Sequence, residues 1–297
     1  MVPSNRTVRG VARLAALLLS LAAFLCLPSP SLLPAAATRS ACPEPYFQGV
    51  APVILNPKLA AGTQELCFSR FAVVHSGITR TPLWSAEHLT REGLSAAEGL
   101  VRVNRFHPEE ALPAGSRAEL YDYARSGYDR GHMAPNGDMP DPQAQYESFS
   151  LANIVPQDPE SNRGVWQKIE ISVRALARRR GELYVVTGPL FRGAELKRIG
   201  GRVMVPSHVY KAVLDPGKGK AAAYLVENGP TGDYRVLSVA ELGELSGIDL
   251  FPTLAPSARR EAMNLPKPSR GGGRRGSGRG GDDGADAAMR ELRRLLR

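Results

Sequence analysis

The sequence predicts an α+β fold with antiparallel sheets and flanking helices. Three observations point to it. Strand-like segments fall into two groups, one long amphipathic helix lies between them, and no repeating strand–helix–strand pattern runs through the chain. Residues 68–75 (FSRFAVVH) are rich in apolar and β-branched side chains and read as a strand. Residues 79–87 follow a turn at Gly77 and read as its hairpin partner. Residues 123–138 are rich in Gly and Pro and read as a loop or bent strand. From Asn162 to about Arg180, Val165, Trp166, Ile169, Val173 and Leu176 share one helical face, and Gly181 ends the helix. Residues 183–188 form a short apolar strand. Residues 202–214 and 221–227 form a further antiparallel pair around Pro216-Gly217-Lys218-Gly219.

The chain has 297 residues, 43% of them hydrophobic and 23% charged, a balance that excludes wholesale disorder. Arg6, Arg9 and Arg13 precede an apolar run over 14–27, then Pro28, Pro30 and the small residues Ala35-Ala36-Ala37. This order reads as a secretory signal peptide over 1–38, leading to a periplasmic or secreted protein. The alternative is an uncleaved anchor, but the run falls short of the ~20 apolar residues a span needs. Cleavage near Ala37 leaves Cys42 and Cys67 as the two cysteines, in an oxidising compartment. One disulfide between them is the simplest outcome, two free buried thiols the alternative.

Residues 39–265 read as one domain without a linker-like break. The stretch 266–297 reads as a Gly/Arg-rich tail. Within it Met289, Leu292 and Leu296 recur at helical spacing with Arg290, Arg293, Arg294 and Arg297 on the rest of a short basic helix. This tail is either a solvated segment or an arm that adds non-specific affinity for nucleic acid or another anionic surface. The formal net charge is +9, yet three arginines and no acids lie before residue 39, and nine basic and four acidic residues lie beyond 265. The middle keeps 26 basic and 25 acidic residues, so the presumed folded domain is almost neutral.

Chemistry-bearing residues concentrate in two places. The loop-like stretch 123–138 holds Asp129, Arg130, His132, Asn136 and Asp138. The stretch 151–174 places Asn162 at a helix start and Glu170 and Arg174 one turn apart, where both reach one partly buried edge. Each has a plain structural reading too: a satisfied histidine, a capping asparagine, a surface ion pair of ~0.3–0.5 kcal/mol.

The string Asp129-Arg130-Gly131-His132-Met133-Ala134-Pro135 resembles the DRGH-x-AP signature of the DNA/RNA non-specific endonucleases, which are ββα-metal nucleases. Five further segments resemble the family's in order. They are Thr81-Pro82-Leu83-Trp84-Ser85-Ala86-Glu87-His88-Leu89, Ser126-Gly127-Tyr128, Asn153-Ile154-Val155-Pro156-Gln157, Asn162-Arg163-Gly164-Val165-Trp166 and Thr187-Gly188-Pro189. The resemblance implies a ββα-metal fold around a central antiparallel sheet, with His132 on a hairpin element and Asn162 on the helix that crosses it. It implies that His132 is the general base, that Asn162 holds a divalent ion, Mg²⁺ or another such as Mn²⁺, and that Glu170 holds metal-bound water. Arg174 is implied to bind phosphate and Arg102 to stabilise the transition state, with Arg105 as the alternative. Asp129, Arg130 and Asn153 take supporting roles, and His75, His88, His107 and His208 keep structural ones. An oxygen-ligated Mg²⁺ that retains several waters needs only one or two protein contacts, so a single amide suits it. The expected function is an exported, Mg²⁺-dependent endonuclease acting on DNA and RNA. The alternatives are a non-catalytic nucleic-acid-binding protein and a phosphodiesterase acting on smaller esters.

Overall fold

A computed structural model describes residues 39–268. The segment 1–38, read above as a signal peptide, and the tail from residue 269 onward lie outside the described residues.

The frame is one sheet of seven antiparallel strands. In chain order its members are β1 (Thr63–Cys67), β2 (Phe71–Ser76) and β3 (Thr81–Thr90), then, beyond the small hairpin of β4 (Asp129–His132) and β5 (Ile154–Gln157), β6 (Glu182–Leu190), β7 (His208–Asp215), β8 (Lys220–Glu227) and β9 (Tyr234–Leu237). The order across the sheet is β9-β8-β7-β6-β3-β2-β1. The two strand groups read from the sequence therefore merge, because β3 pairs with β6, Ser85 opposite Thr187. The α+β fold with a central antiparallel sheet is the one observed.

Alternation along the strands gives each face its own core. Leu89, Leu183, Val185, Val209, Val213 and Val226 face the long helix and meet Trp166, Ile169, Val173 and Leu176. Trp84, Ala86, Val186, Tyr210, Ala212 and Leu225 face the other way, against Tyr46, Val239, Leu242 and Phe251. Each large apolar side chain buried this way contributes roughly 1.5–3 kcal/mol. Trp166 is 1% exposed at the centre of the helix-side core. Its truncation to alanine would cost ~3–5 kcal/mol.

Three expectations change in detail. The strand read over 68–75 is split: Phe68 N–H donates to the Phe71 carbonyl at 2.9 Å, a tight turn that makes 63–67 and 71–76 two strands. The strand read over 202–214 is broken at Pro206, which has no N–H to give a ladder, leaving Val203–Met204 apart from β7. The helix read from Asn162 begins three residues earlier, at Pro159–Ser161, and runs on through Asn162–Trp166 and α1 (Gln167–Arg180). Asp158 caps it, accepting from the N–H groups of Glu160 and Ser161, and Pro159 sits where its missing N–H costs nothing. Gly181 closes it at φ 99°.

Cys42 and Cys67 form a disulfide with Cα atoms 5.5 Å apart, tying the N-terminal segment to the end of β1. At the other end the chain stays packed past residue 265, since the Tyr224 hydroxyl donates to the Pro266 carbonyl. No helix among the described residues is long and apolar enough to cross a membrane.

Candidate active site

The β4–β5 hairpin and the helix meet at a cleft of about 580 Å³. Arg102, Asp129, Arg130, His132, Asn162, Glu170 and Arg174 all line it. Residues distant in sequence converge for simple reasons of periodicity. In β4, Asp129 is opposite Gln157 and His132 opposite Ile154, and Asp129, Arg130 and His132 all border the opening. In the helix, Asn162, Glu170 and Arg174 are spaced by two turns and then one, and so share an edge.

Asn162 lies at the start of a π-helical turn, Asn162–Trp166. Its Nδ2 donates to Asp129 Oδ2 at 2.9 Å. Asp129 is also gripped by Arg163, from Nε at 2.8 Å and from Nη2 at 2.5 Å. Burial pushes the Asp129 carboxyl up, but the hydrogen bonds from Arg163 and Asn162 outweigh it and hold it below the usual range. A carboxylate that takes the amide N–H leaves the amide oxygen of Asn162 for a cation. That donor set suits a hard divalent ion that keeps most of its water. Among the described residues no group of three or more His, Cys, Asp or Glu could cage a metal.

His132 is 9% exposed, and its Nε2 has no hydrogen-bond partner. Its ring packs against Phe106 and Phe149, with centroids 5.3 and 5.0 Å away. Burial, helped by the positive charge of Arg102, lowers its pKa to about 3. The imidazole is therefore neutral at pH 7 and able to accept a proton. Glu170 is pushed the other way, up to about 7, by burial against the opposing pull of Arg174 and Lys211.

Besides Arg163, the three other cations of the cleft are held differently. Arg174 Nη1 donates to Asp138 Oδ1 at 2.7 Å, and not to Glu170. Arg130 lies over Phe106 and Tyr123, and its buried Nε has no partner. Arg102 donates from Nε to Asn104 Oδ1 at 2.7 Å and lies 5.4 Å from the centre of Phe149. Alternation separates Arg102 from Arg105. Arg102, Asn104 and Phe106 face the cleft, while Val101, Val103 and Arg105 line a separate groove.

Asn153 does not line the cleft. Its Oδ1 accepts from Ala134 N–H and Ser85 Oγ, and its Nδ2 donates to the carbonyls of Ala134 and Ser148. Every bond goes to protein, so it orders the loop after His132 and has none left for phosphate. The four other histidines also lie outside the cleft.

Three residues below the cleft carry no sequence signal that names their partners. Asp138 is the holder of Arg174. Lys211, 1% exposed, donates to Thr187 Oγ1 at 2.7 Å and to the Met133 carbonyl at 3.3 Å, directly behind His132. Glu87 lies 4.0 Å from the Lys211 ammonium, and burial, then the Asp138 charge, drive its pKa well up against the pull of Lys211. The one hint in the sequence is a charged residue breaking an apolar strand, as Lys211 does between Tyr210 and Ala212.

Residues 52–257 match the profile of the DNA/RNA non-specific endonuclease family. The chain is 35% identical over 215 residues to the mitochondrial nuclease EXOG of Danio rerio, covering 65% of this chain and 62% of the relative. It is 32% identical over 217 residues to a nuclease of Nostoc sp., covering 67% and 77%. It spans 58% to 66% of the length of the human, Xenopus and Danio EXOG proteins. Among solved structures, EndoG in the EndoG/EndoGI complex matches with a TM-score of 0.61 and 27% identity, over 65% of this chain and 88% of that one.

Proposed function

The chain belongs to the DNA/RNA non-specific endonuclease family, and from that premise we propose an exported, Mg²⁺-dependent endonuclease that hydrolyses phosphodiester bonds of DNA and RNA. The observation that carries this reading is the shared cleft. A neutral imidazole, an oriented amide oxygen, two carboxyls and four guanidinium groups line one opening.

In this mechanism His132, neutral and with its Nε2 unpartnered, takes a proton from the attacking water. Arg102 and Arg174 hold the phosphate oxygens, and Asp138 fixes the Arg174 fork. Asn162 would hold the ion through its amide oxygen, and Glu170 would accept from water around it. When bound, a divalent ion supplies charge stabilisation to the transition state and the leaving 3′-oxygen. Contacts of this kind address phosphate, and phosphate contacts carry no base sequence, so cleavage has little sequence preference. Products would carry 5′-phosphate ends. Export is supported by the Cys42–Cys67 disulfide and by the leader-like segment 1–38.

The test is digestion of plasmid DNA and of RNA by the purified protein across a series of divalent metals and in EDTA. Both polymers are expected to be degraded with Mg²⁺ and spared in EDTA. Intact polymers with every metal, or equal cleavage in EDTA, would contradict the proposal.

A further inference from the structure

Beside the cleft, on the other side of the segment 101–106, lies a second groove of about 680 Å³. Val101, Val103, Arg105 and Tyr146 contribute to its walls. Val101 and Val103 are 82% and 51% exposed, an unusual placement for adjacent valines on one face of an extended segment. Tyr146 is 44% exposed. One face of its ring is stacked on His107, with centroids 4.3 Å apart and planes within 5°. His107 is itself fixed: its N–H donates to the Phe149 carbonyl, its carbonyl accepts from Leu151 N–H, and its Nδ1 donates to the Arg105 carbonyl at 2.9 Å. The Arg105 side chain makes no hydrogen bond or ion pair with any described residue.

The groove borders the cleft, since alternate residues of the segment 101–106 line the one and the other. Phe106 and Phe149 touch the His132 ring, and their chain neighbours, His107 and the turn carrying Tyr146, build the stacked pair. A polymer with a phosphate between Arg102 and His132 would have to cross the rim at 101–105 to reach Tyr146.

We propose that Tyr146, backed by His107 and flanked by Arg105, Val101 and Val103, is a stacking subsite for an unpaired nucleobase flanking the scissile phosphate. The inference rests on the nuclease reading for the identity of the polymer. A rigid aromatic face stacks any base, which suits a site without sequence preference. Arg105 supplies the cation for the next phosphate, and the valines cover the base edge. Paired bases in a duplex are stacked on one another and do not offer a face, so the subsite favours single strands.

Binding in EDTA reads the subsite, and hydrolysis in Mg²⁺ reads the function. A fluorescein-labelled single-stranded 12-mer and a blunt duplex of the same sequence are titrated with wild-type protein and with Tyr146→Ala, Tyr146→Trp and Arg105→Ala in EDTA. Tyr146→Ala is expected to weaken single-strand binding about tenfold, the scale of one lost stacked base. Tyr146→Trp should restore it, Arg105→Ala should flatten its salt dependence, and duplex binding should shift less than twofold. In Mg²⁺, Tyr146→Ala should raise KM for the single strand with kcat unchanged, and leave hydrolysis of bis(4-nitrophenyl) phosphate at the wild-type rate. Unchanged single-strand binding in Tyr146→Ala would overturn the subsite, as would an equal loss on duplex or a loss that tryptophan does not restore. Absence of hydrolysis by the wild type would instead overturn the nuclease reading, whatever the binding results.

Discussion

Asp129 decides which end of the Asn162 amide meets the cleft. By accepting from Nδ2 it leaves the oxygen for a cation, and Arg163 keeps the carboxylate ionised and in place. Asp129→Ala should therefore raise the Mg²⁺ concentration for half-maximal cleavage about tenfold or more, the usual effect of losing a partner that orients a metal ligand. Metal titration of plasmid cleavage checks it, and an unchanged midpoint would remove Asp129 from that role. Residues of this kind were legible because the motif is local: Asp129, Arg130 and His132 fall within four consecutive positions, and Asn162, Glu170 and Arg174 share a helix edge. Asp138, Lys211 and Glu87 were not legible as partners. Arg174 lies 36 residues from Asp138, and the Lys211 contacts depend on the register of β3, β6 and β7. That register is a product of the whole sheet.

At the scale of elements, Gly131 shows why the hairpin tolerates no side chain at that position. A Cβ on Gly131 would collide with the Gln157 side chain across the β4–β5 pair. Gly131→Ala should destabilise the protein by ~1–3 kcal/mol, as overpacking does, and should lower activity by displacing His132 one residue away. Urea unfolding followed beside plasmid cleavage tests both, and a variant of wild-type stability would contradict the close packing. The helix was legible along its apolar face but not at its start. Asp158-Pro159 is a capping aspartate followed by a proline suited to the first turn, and the signal was present though the apolar pattern begins later. The split of the first strand pair was hidden because Phe68 and Phe71, stacked 4.5 Å apart across the turn, look like strand residues on either side of it.

For the whole molecule, burial of histidine links stability to pH. His75 is 1% exposed, and burial lowers its pKa to about 4. The unfolded chain binds that proton below pH ~6.5 and the folded one resists it, so this contribution is complete above pH ~6.5 and is lost as pH falls toward 4. Glu170, raised to about 7, works in the opposite sense over the same window, so the total is not diagnostic. The difference between wild type and His75→Leu is diagnostic: wild type should lose about 2 kcal/mol relative to the variant between pH 7.5 and 4.5. Urea midpoints at the two values check it, and a constant difference would contradict the buried neutral histidine. Charge is distributed as unevenly as burial. The segment 39–265 is nearly neutral, and most of the net positive charge of residues 39–297 lies beyond it. A chain ending at Pro268 keeps the Tyr224–Pro266 contact. It should lose salt-sensitive DNA affinity while keeping its turnover at saturating DNA. Equal salt slopes for the two lengths would contradict a tail that contributes to binding.

If a neutral His132 and the Asn162 amide act together on a phosphodiester in one cleft, loss of either side chain abolishes cleavage. The most direct measurement is the rate of supercoiled plasmid cleavage in Mg²⁺ by wild type, His132→Ala and Asn162→Ala, each first shown by circular dichroism to be folded. Each variant is expected to lose at least about 100-fold in rate, the scale of removing a general base. Near-wild-type cleavage by either folded variant would contradict the claim.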